Sequence, residues 1–163
     1  MKKLLKGFPA IIANDPKILI LGSMPSVTSL DKQEYYGFAY NRFWRIMAQY
    51  FHCEFHNYEE KKQCILDHHL ILWDVIAQCH REGSLDSNIK DEKVNDIEYL
   101  LKKYPSIQIV ICNGRKSYDL YQRYFPDLLV ECLYLPSTSN ANRSMKEKQI
   151  FKLWFEALTQ VSL

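Results

Sequence analysis

Residues 17–26 read Lys-Ile-Leu-Ile-Leu-Gly-Ser-Met-Pro-Ser, and residues 35–44 read Tyr-Tyr-Gly-Phe-Ala-Tyr-Asn-Arg-Phe-Trp. A short, continuous apolar run that stops at a Gly/Pro turn is the pattern of a strand buried on both faces of a parallel sheet. Such a turn delivers backbone N–H groups to the carboxyl edge of the sheet, where ligands bind in open α/β folds. Two tyrosines, an Asn and a Phe-Trp pair follow closely. They supply aromatic faces and a neutral polar group in one place, as a nucleobase pocket requires. Much later, Leu135-Pro136-Ser137-Thr138-Ser139-Asn140 repeats the arrangement of an apolar run followed by a small polar loop.

Working outward, four apolar runs read as buried strands: Lys17–Leu21, Leu70–Leu72, Ile107–Cys112 and Leu129–Leu135. Helical spacing falls between them. Arg42–Phe51 spaces Phe43, Trp44, Met47, Tyr50 and Phe51 along one face; Val94, Ile97, Leu100 and Leu101 do so before Pro105; Tyr118, Tyr121, Tyr124 and Phe125 follow the Asn113-Gly114 break. Ser144 and Glu147 have capping-box spacing ahead of an apolar stripe of Ile150, Leu153, Trp154, Ala157, Leu158 and Val161. Alternating strand and helix predict an α/β fold: a three-layer α/β/α sandwich with a central, mainly parallel four-stranded sheet. With no repeat or linker, a single domain over residues 1–163 is expected, long enough to bury a core unaided.

The formal net charge is only +2, so the whole-molecule field is not that of a strong nucleic-acid binder, and any grip on phosphates must be local. Cys53, Cys64, Cys79, Cys112 and Cys132 are odd in number and form no C-x-x-C pair, which suggests reduced thiols and a cytoplasmic protein. The start, Met1-Lys2-Lys3-Leu4-Leu5, resembles a signal n-region, but Lys6, Gly7 and Pro9 interrupt it before any long apolar stretch. No membrane span is expected, and a monomer is.

The Gly22-Ser23-Met24-Pro25-Ser26 turn is neither a Walker loop nor a nucleophile elbow; alone it reads as a tight turn. Asn41 suits a helix N-cap as well as a catalytic role. Tyr35 and Tyr36 suit a core or a stacking face. Asp74 closes the second strand, where an unpaired carboxylate is costly to bury, so it either caps the next segment or faces a pocket. His52, Cys53, His56, His68, His69 and His80 follow no zinc spacing, and no metal or organic cofactor is expected. Arg115 and Lys116, and Arg143 with Lys146 and Lys148, read as solvated charge or as phosphate contacts.

Taken in order, several stretches resemble the uracil-DNA glycosylase superfamily, and within it the DNA-deoxyinosine (hypoxanthine-DNA) glycosylase branch. They are Gly22-Ser23-Met24-Pro25-Ser26-Val27-Thr28-Ser29-Leu30, Tyr35-Tyr36-Gly37, Asn41-Arg42-Phe43-Trp44-Arg45, Leu72-Trp73-Asp74-Val75, Gly83-Ser84-Leu85-Asp86-Ser87, Asn113-Gly114 and Leu135-Pro136-Ser137-Thr138-Ser139. The Asn-Arg-Phe-Trp run is also similar to mismatch-specific uracil/thymine glycosylases, which place a catalytic Asn or Asp where this chain has Met24.

The resemblance implies base excision from DNA containing deaminated bases: hypoxanthine, with uracil and xanthine as further candidates. It implies Asn41 as the catalytic residue, its amide carbonyl orienting a water. A base would stack on Tyr36, with Phe43 nearby and Asp74 at the base edge. Gly22–Ser26 and Asn113 would complete the base site. Lys116, Ser137, Thr138, Ser139, Asn142 and Arg143 would hold DNA. Where the branch reads Gly-His-Pro-Arg-Asn, this chain has Gly37-Phe38-Ala39-Tyr40-Asn41. That replacement motivates a second reading, a catalytically weak or inactive nucleic-acid- or nucleotide-binding module of the same fold. A hydrolase of free nucleosides is a third.

Overall fold

The apolar run quoted first is a strand buried along its whole length, Ile18–Gly22, in the middle of a sheet. The computed structural model describes residues 3–162; Met1 and Lys2, the first residues of the n-region-like start, lie outside the described residues, as does Leu163. In chain order the elements are β1 (Leu4–Lys6), β2 (Ile11–Ile12), β3 (Ile18–Gly22), α1 (Val27–Lys32), α2 (Phe43–Phe51) and α3 (Tyr58–Asp67). Then come β4 (Leu70–Asp74), β5 (Ile76–His80), β6 (Lys90–Val94), α4 (Ile97–Lys103), β7 (Ile109–Asn113), α5 (Arg115–Tyr124), β8 (Glu131–Leu135) and α6 (Glu147–Leu158).

The main sheet runs β2-β4-β3-β7-β8, and its last four strands are mutually parallel. These are the four expected strands. The two-residue β2 extends the sheet by pairing antiparallel at its β4 edge. Side chains of β3 alternate between two cores, Ile18 and Ile20 in one, Leu19 and Leu21 in the other. Two apolar faces explain the unbroken run. Helices α2, α3 and α6 supply the first core, and α4 and α5 the second. Helices therefore cover both faces of the sheet.

A second, antiparallel sheet, β1-β5-β6, was not expected. Val94 belongs to its last strand rather than to the α4 stripe, because the chain turns into the helix only at Asp96, whose side chain accepts from the Tyr99 N–H. Leu129 and Val130 precede β8, and Leu129 is fully exposed. The expected Ser144–Glu147 capping box does not form. Lys146 occupies the cap position, Ser144 Oγ donates to Asn142 Oδ1, and the Glu147 carboxylate faces Arg42 and Arg45 across to α2.

Truncating the central strand by Ile20→Ala removes contacts from a fully buried position, and should cost about 3 kcal/mol in urea unfolding with an unchanged m-value. Leu129→Ala should stay within about 0.5 kcal/mol of the parent.

Candidate active site

Strand register decides which side chains meet at the carboxyl edge. Gly22 lies beside Asp74, Leu21 beside Cys112, and Asn113 beside Leu135. The loops leaving these ends, together with residues 84–87, enclose a cavity of about 820 Å3. Gly22 is required by a close approach: a Cβ there would run into Asp74 Oδ1 and come within 3.1 Å of the Tyr36 hydroxyl. Gly114 is required by its φ of 94°, with Ser137 packed against the position a Cβ would take.

Asp74 is 5% exposed and lines the cavity. Its Oδ2 is buried with no hydrogen-bond partner among the described residues. Burial pushes the carboxyl up to about 7; the nearby Asp86 charge adds to the rise and Arg81 opposes it. Near neutral pH the group is thus divided between an acid, which donates and accepts, and a carboxylate, which only accepts.

Tyr36 lines the cavity at a φ of 53°, an uncommon conformation for a bulky residue. Its ring stacks on Phe43 at 4.1 Å between centroids, and its hydroxyl accepts from Asn113 Nδ2 at 3.2 Å. Phe43 is fully buried and does not reach the cavity. The residue expected in the base site instead backs the ring that lines it.

Asn41 lies one residue ahead of the N-cap position of α2, which Arg42 occupies. From there its Oδ1 accepts from the N–H of Phe43, the first residue of α2, at 3.0 Å, and the residue also lines the cavity. The same oxygen accepts from Thr138 Oγ1 at 2.8 Å, and Thr138 Oγ1 in turn accepts from Asn113 Nδ2 at 3.0 Å. The chain of donors fixes the amide orientation, because a flipped Asn41 would set NH2 against the Phe43 N–H. Both lone pairs of the carbonyl are therefore used within the protein. This corrects the expectation of a carbonyl free to orient water; the group left without a partner among the described residues is the NH2. Asn113 is likewise committed inward, its Oδ1 accepting from the Thr138 N–H at 3.0 Å.

In the Gly22–Ser26 turn, the N–H groups of Ser23, Met24 and Ser26 donate to no described protein group, whereas Ser26 Oγ caps α1 and Ser23 Oγ donates to Asp86 Oδ1 at 2.7 Å. The last loop is braced from within: Ser137 Oγ accepts from the Ser139 N–H, and Asn142 Nδ2 donates to the Ser137 carbonyl. Lys116, Ser137, Thr138, Ser139 and Asn142 line the cavity, but Arg143 is exposed and outside its lining.

Two arginines that hold this architecture were not singled out from the sequence. Arg42 donates to the Ser139 carbonyl at 2.8 Å and pairs with Glu147, pinning the last loop to α2. Arg81 is 8% exposed and donates to the carbonyls of Gly83 and Pro25, tying the 81–88 segment to the first loop. Local sequence cannot separate such residues from solvated charge; only the apolar neighbours Phe43 and Trp44 hint at Arg42. The histidines are dispersed: His68 stacks on Phe51, His69 meets the Asn14 carbonyl and His80 meets Asp91.

The family model described as the uracil DNA glycosylase superfamily matches residues 9–159. This chain belongs to that superfamily. Within it, the chain is similar to a hypoxanthine DNA glycosylase of Methanosarcina acetivorans, 38% identical over 146 residues that make up 88% of this chain and 92% of the relative. A hypoxanthine DNA glycosylase of Methanosarcina barkeri is 36% identical over 96% of this chain and 98% of its own. A solution NMR structure of an M. acetivorans protein, provisionally designated a uracil DNA glycosylase, superposes with a TM-score of 0.82 at 35% identity, covering 96% of this chain and 99% of that one. The superfamily fold thus accounts for the sheet and both helical layers. Among the described residues no helix is long and apolar enough to cross a membrane.

Thr138 is fully buried and links three loops. Thr138→Val keeps its shape but leaves the Asn113 and Asn41 amides without their shared partner, and should lower stability by about 2 kcal/mol in urea unfolding. Thr138→Ser should restore most of that loss.

Proposed function

We propose that this chain is a monofunctional DNA glycosylase that hydrolyses the N-glycosidic bond of deaminated bases in DNA, hypoxanthine foremost. The observation that carries the reading is the buried, unpartnered carboxyl of Asp74 in a cavity of about 820 Å3, roomy enough for a nucleoside, in a chain whose relatives are named hypoxanthine DNA glycosylases. We take the acting unit to be a monomer of one domain in the cytoplasm, in keeping with five unpaired thiols.

The target nucleotide leaves the stack, at a cost of a few kcal/mol that is least at a mispair. Its base enters over Tyr36, whose other face is backed by Phe43. Hypoxanthine presents an N1–H beside a C6 carbonyl. Acid-form Asp74 accepts from the first and donates to the second. Uracil offers the same edge through N3–H and O4, so this contact does not separate the two.

As the glycosidic bond breaks, negative charge grows on the base and positive charge on the sugar. Donors already aimed at the base lower that barrier without reorganisation. The free N–H groups of Ser23, Met24 and Ser26 and the acid proton of Asp74 serve the base. The Asn41 NH2 donates to a water oxygen and leaves that oxygen a lone pair for C1′; as the C1′–O bond forms the C1′–N bond breaks, and the water's proton ends on the departing base. Its grip is firm because Thr138 and the α2 N-terminus fix its carbonyl. Lys116, Arg143 and the braced Ser137–Asn142 loop hold phosphates, which makes binding salt-dependent.

The rival reading of a binding module rests on the Phe38-Ala39-Tyr40 segment. That segment lies at the rim: Phe38 lines the cavity, whereas Ala39 and Tyr40 do not. Its replacement removes none of the groups on the floor.

Base release from an oligonucleotide carrying one hypoxanthine tests the reading directly. Wild type should leave alkali-sensitive abasic sites, and folded Asn41→Ala should do so about a hundredfold more slowly. A folded wild type that retains the DNA but releases no base would put the binding module in its place.

The pH dependence has a definite sign. Below about 7 Asp74 is the acid; above it the carboxylate loses its donor and faces the base carbonyl with like charge. Release should therefore fall about tenfold per pH unit above the midpoint. Asp74→Asn, which donates and accepts at every pH, should flatten that limb.

A further inference from the structure

The turn between α1 and α2 holds two aromatic side chains in solvent. Gly37 anchors it on one side, its N–H donating to Ser29 Oγ at 2.9 Å and its carbonyl accepting from Lys32 Nζ at 3.0 Å. On the other side the Asn41 N–H donates to the Phe38 carbonyl at 3.0 Å. Between these anchors Phe38 is 36% and Tyr40 72% exposed, with their rings edge to face at 5.7 Å. Other exposed rings are those of Tyr99, Tyr124 and Tyr134, and of these only Tyr134 lines the cavity. Phe38 lines the cavity and Tyr40 continues from it outward.

The rest of the mouth lacks a free aromatic face. Tyr134 lines the cavity too, but the Arg115 guanidinium lies over its ring at 4.3 Å. Leu85 is exposed there and has no π face. The last loop contributes only small polar side chains and Ala141. Arg115 and Lys116 begin α5 on one face of the sheet, while Phe38 and Tyr40 lead into α2 on the other. Cations stand on both sides, Arg115 and Lys116 at α5 and Lys32 at the Gly37 carbonyl. Exposed rings flank the mouth at Phe38 and Tyr40, which suits a strand of nucleic acid whose phosphates meet the cations and whose base lies on the rings.

We infer that Phe38 and Tyr40 form a stacking subsite for the nucleobase adjacent to the flipped nucleotide on the same strand. This rests on the glycosylase reading and adds a contact beyond the base being excised. Stacking needs only a π face, so the subsite accepts any base and rejects an abasic neighbour.

The test is a cycle of single-turnover release at sub-saturating enzyme, run in parallel on single strands and duplexes carrying hypoxanthine. The neighbour on each side is in turn a normal base or an abasic tetrahydrofuran. For wild type, an abasic neighbour on one side should lower kcat/KM about tenfold. The Phe38→Ala/Tyr40→Ala double variant should lose about tenfold with a normal neighbour and nothing further with the abasic one. Tyr40→Phe, which keeps the ring, should match wild type. Losses that multiply, or a Tyr40→Phe variant as impaired as the alanine variant, would overturn the subsite while leaving the glycosylase reading intact. A wild type that releases no hypoxanthine from any strand would overturn both.

Discussion

The hydroxyl of Thr138 is the point on which the site depends. It accepts from Asn113 at the end of β7 and donates to Asn41 ahead of α2, while its own backbone N–H donates back to Asn113. Three loops that leave three different elements are thereby locked through one fully buried group. Each bond is directional, and each partner would be stranded in a dry environment without the others, where an unmade hydrogen bond costs more than a made one returns. The orientation of the Asn41 amide follows from this. A side chain that accepts from a helix N–H with one end of its amide is free to act only through the other.

Asp74 shows the opposite policy a few ångströms away. Among the described residues Asp74 Oδ2, Arg81 Nη1 and the Tyr121 hydroxyl are buried without a hydrogen-bond partner, and of the three only Asp74 lines the cavity, with Gly22 stripped of a Cβ to make room for it. A protein that only needed to be stable would neutralise or replace such a group. Burial without a partner pushes the carboxyl up to about 7, so near neutral pH the acid form, with one donor and one acceptor, is well populated.

What the sequence made legible follows from how each element is stabilised. The four parallel strands are continuous apolar runs because both their faces are covered, and these were readable. The β5–β6 pair was not: Lys90–Val94 reads Lys-Asp-Glu-Lys-Val, with no run or apolar alternation to mark a strand. Helix α3 buries only Cys64 and Ile65, so its periodicity is faint. Ser144 and Glu147 had the right spacing for a cap, yet Glu147 is claimed by arginines on another helix, which no local window contains. The motif residues were found because they cluster at strand ends. Which atom of Asn41 is free, and that Phe43 sits behind Tyr36, depended on partners many residues away.

The geometry also separates what is fixed from what can vary. The floor of the cavity is made by strand ends, where a one-residue slip in register would move Gly22 away from Asp74 and destroy the site. The rim is made by turns anchored at both ends but open in the middle, and there Phe38 is 36% and Tyr40 72% exposed. Substitution at such positions leaves the strand register and the Thr138 bonds in place. The departure at residues 38–40 therefore falls at the mouth of the cavity and not on the strand ends that make its floor.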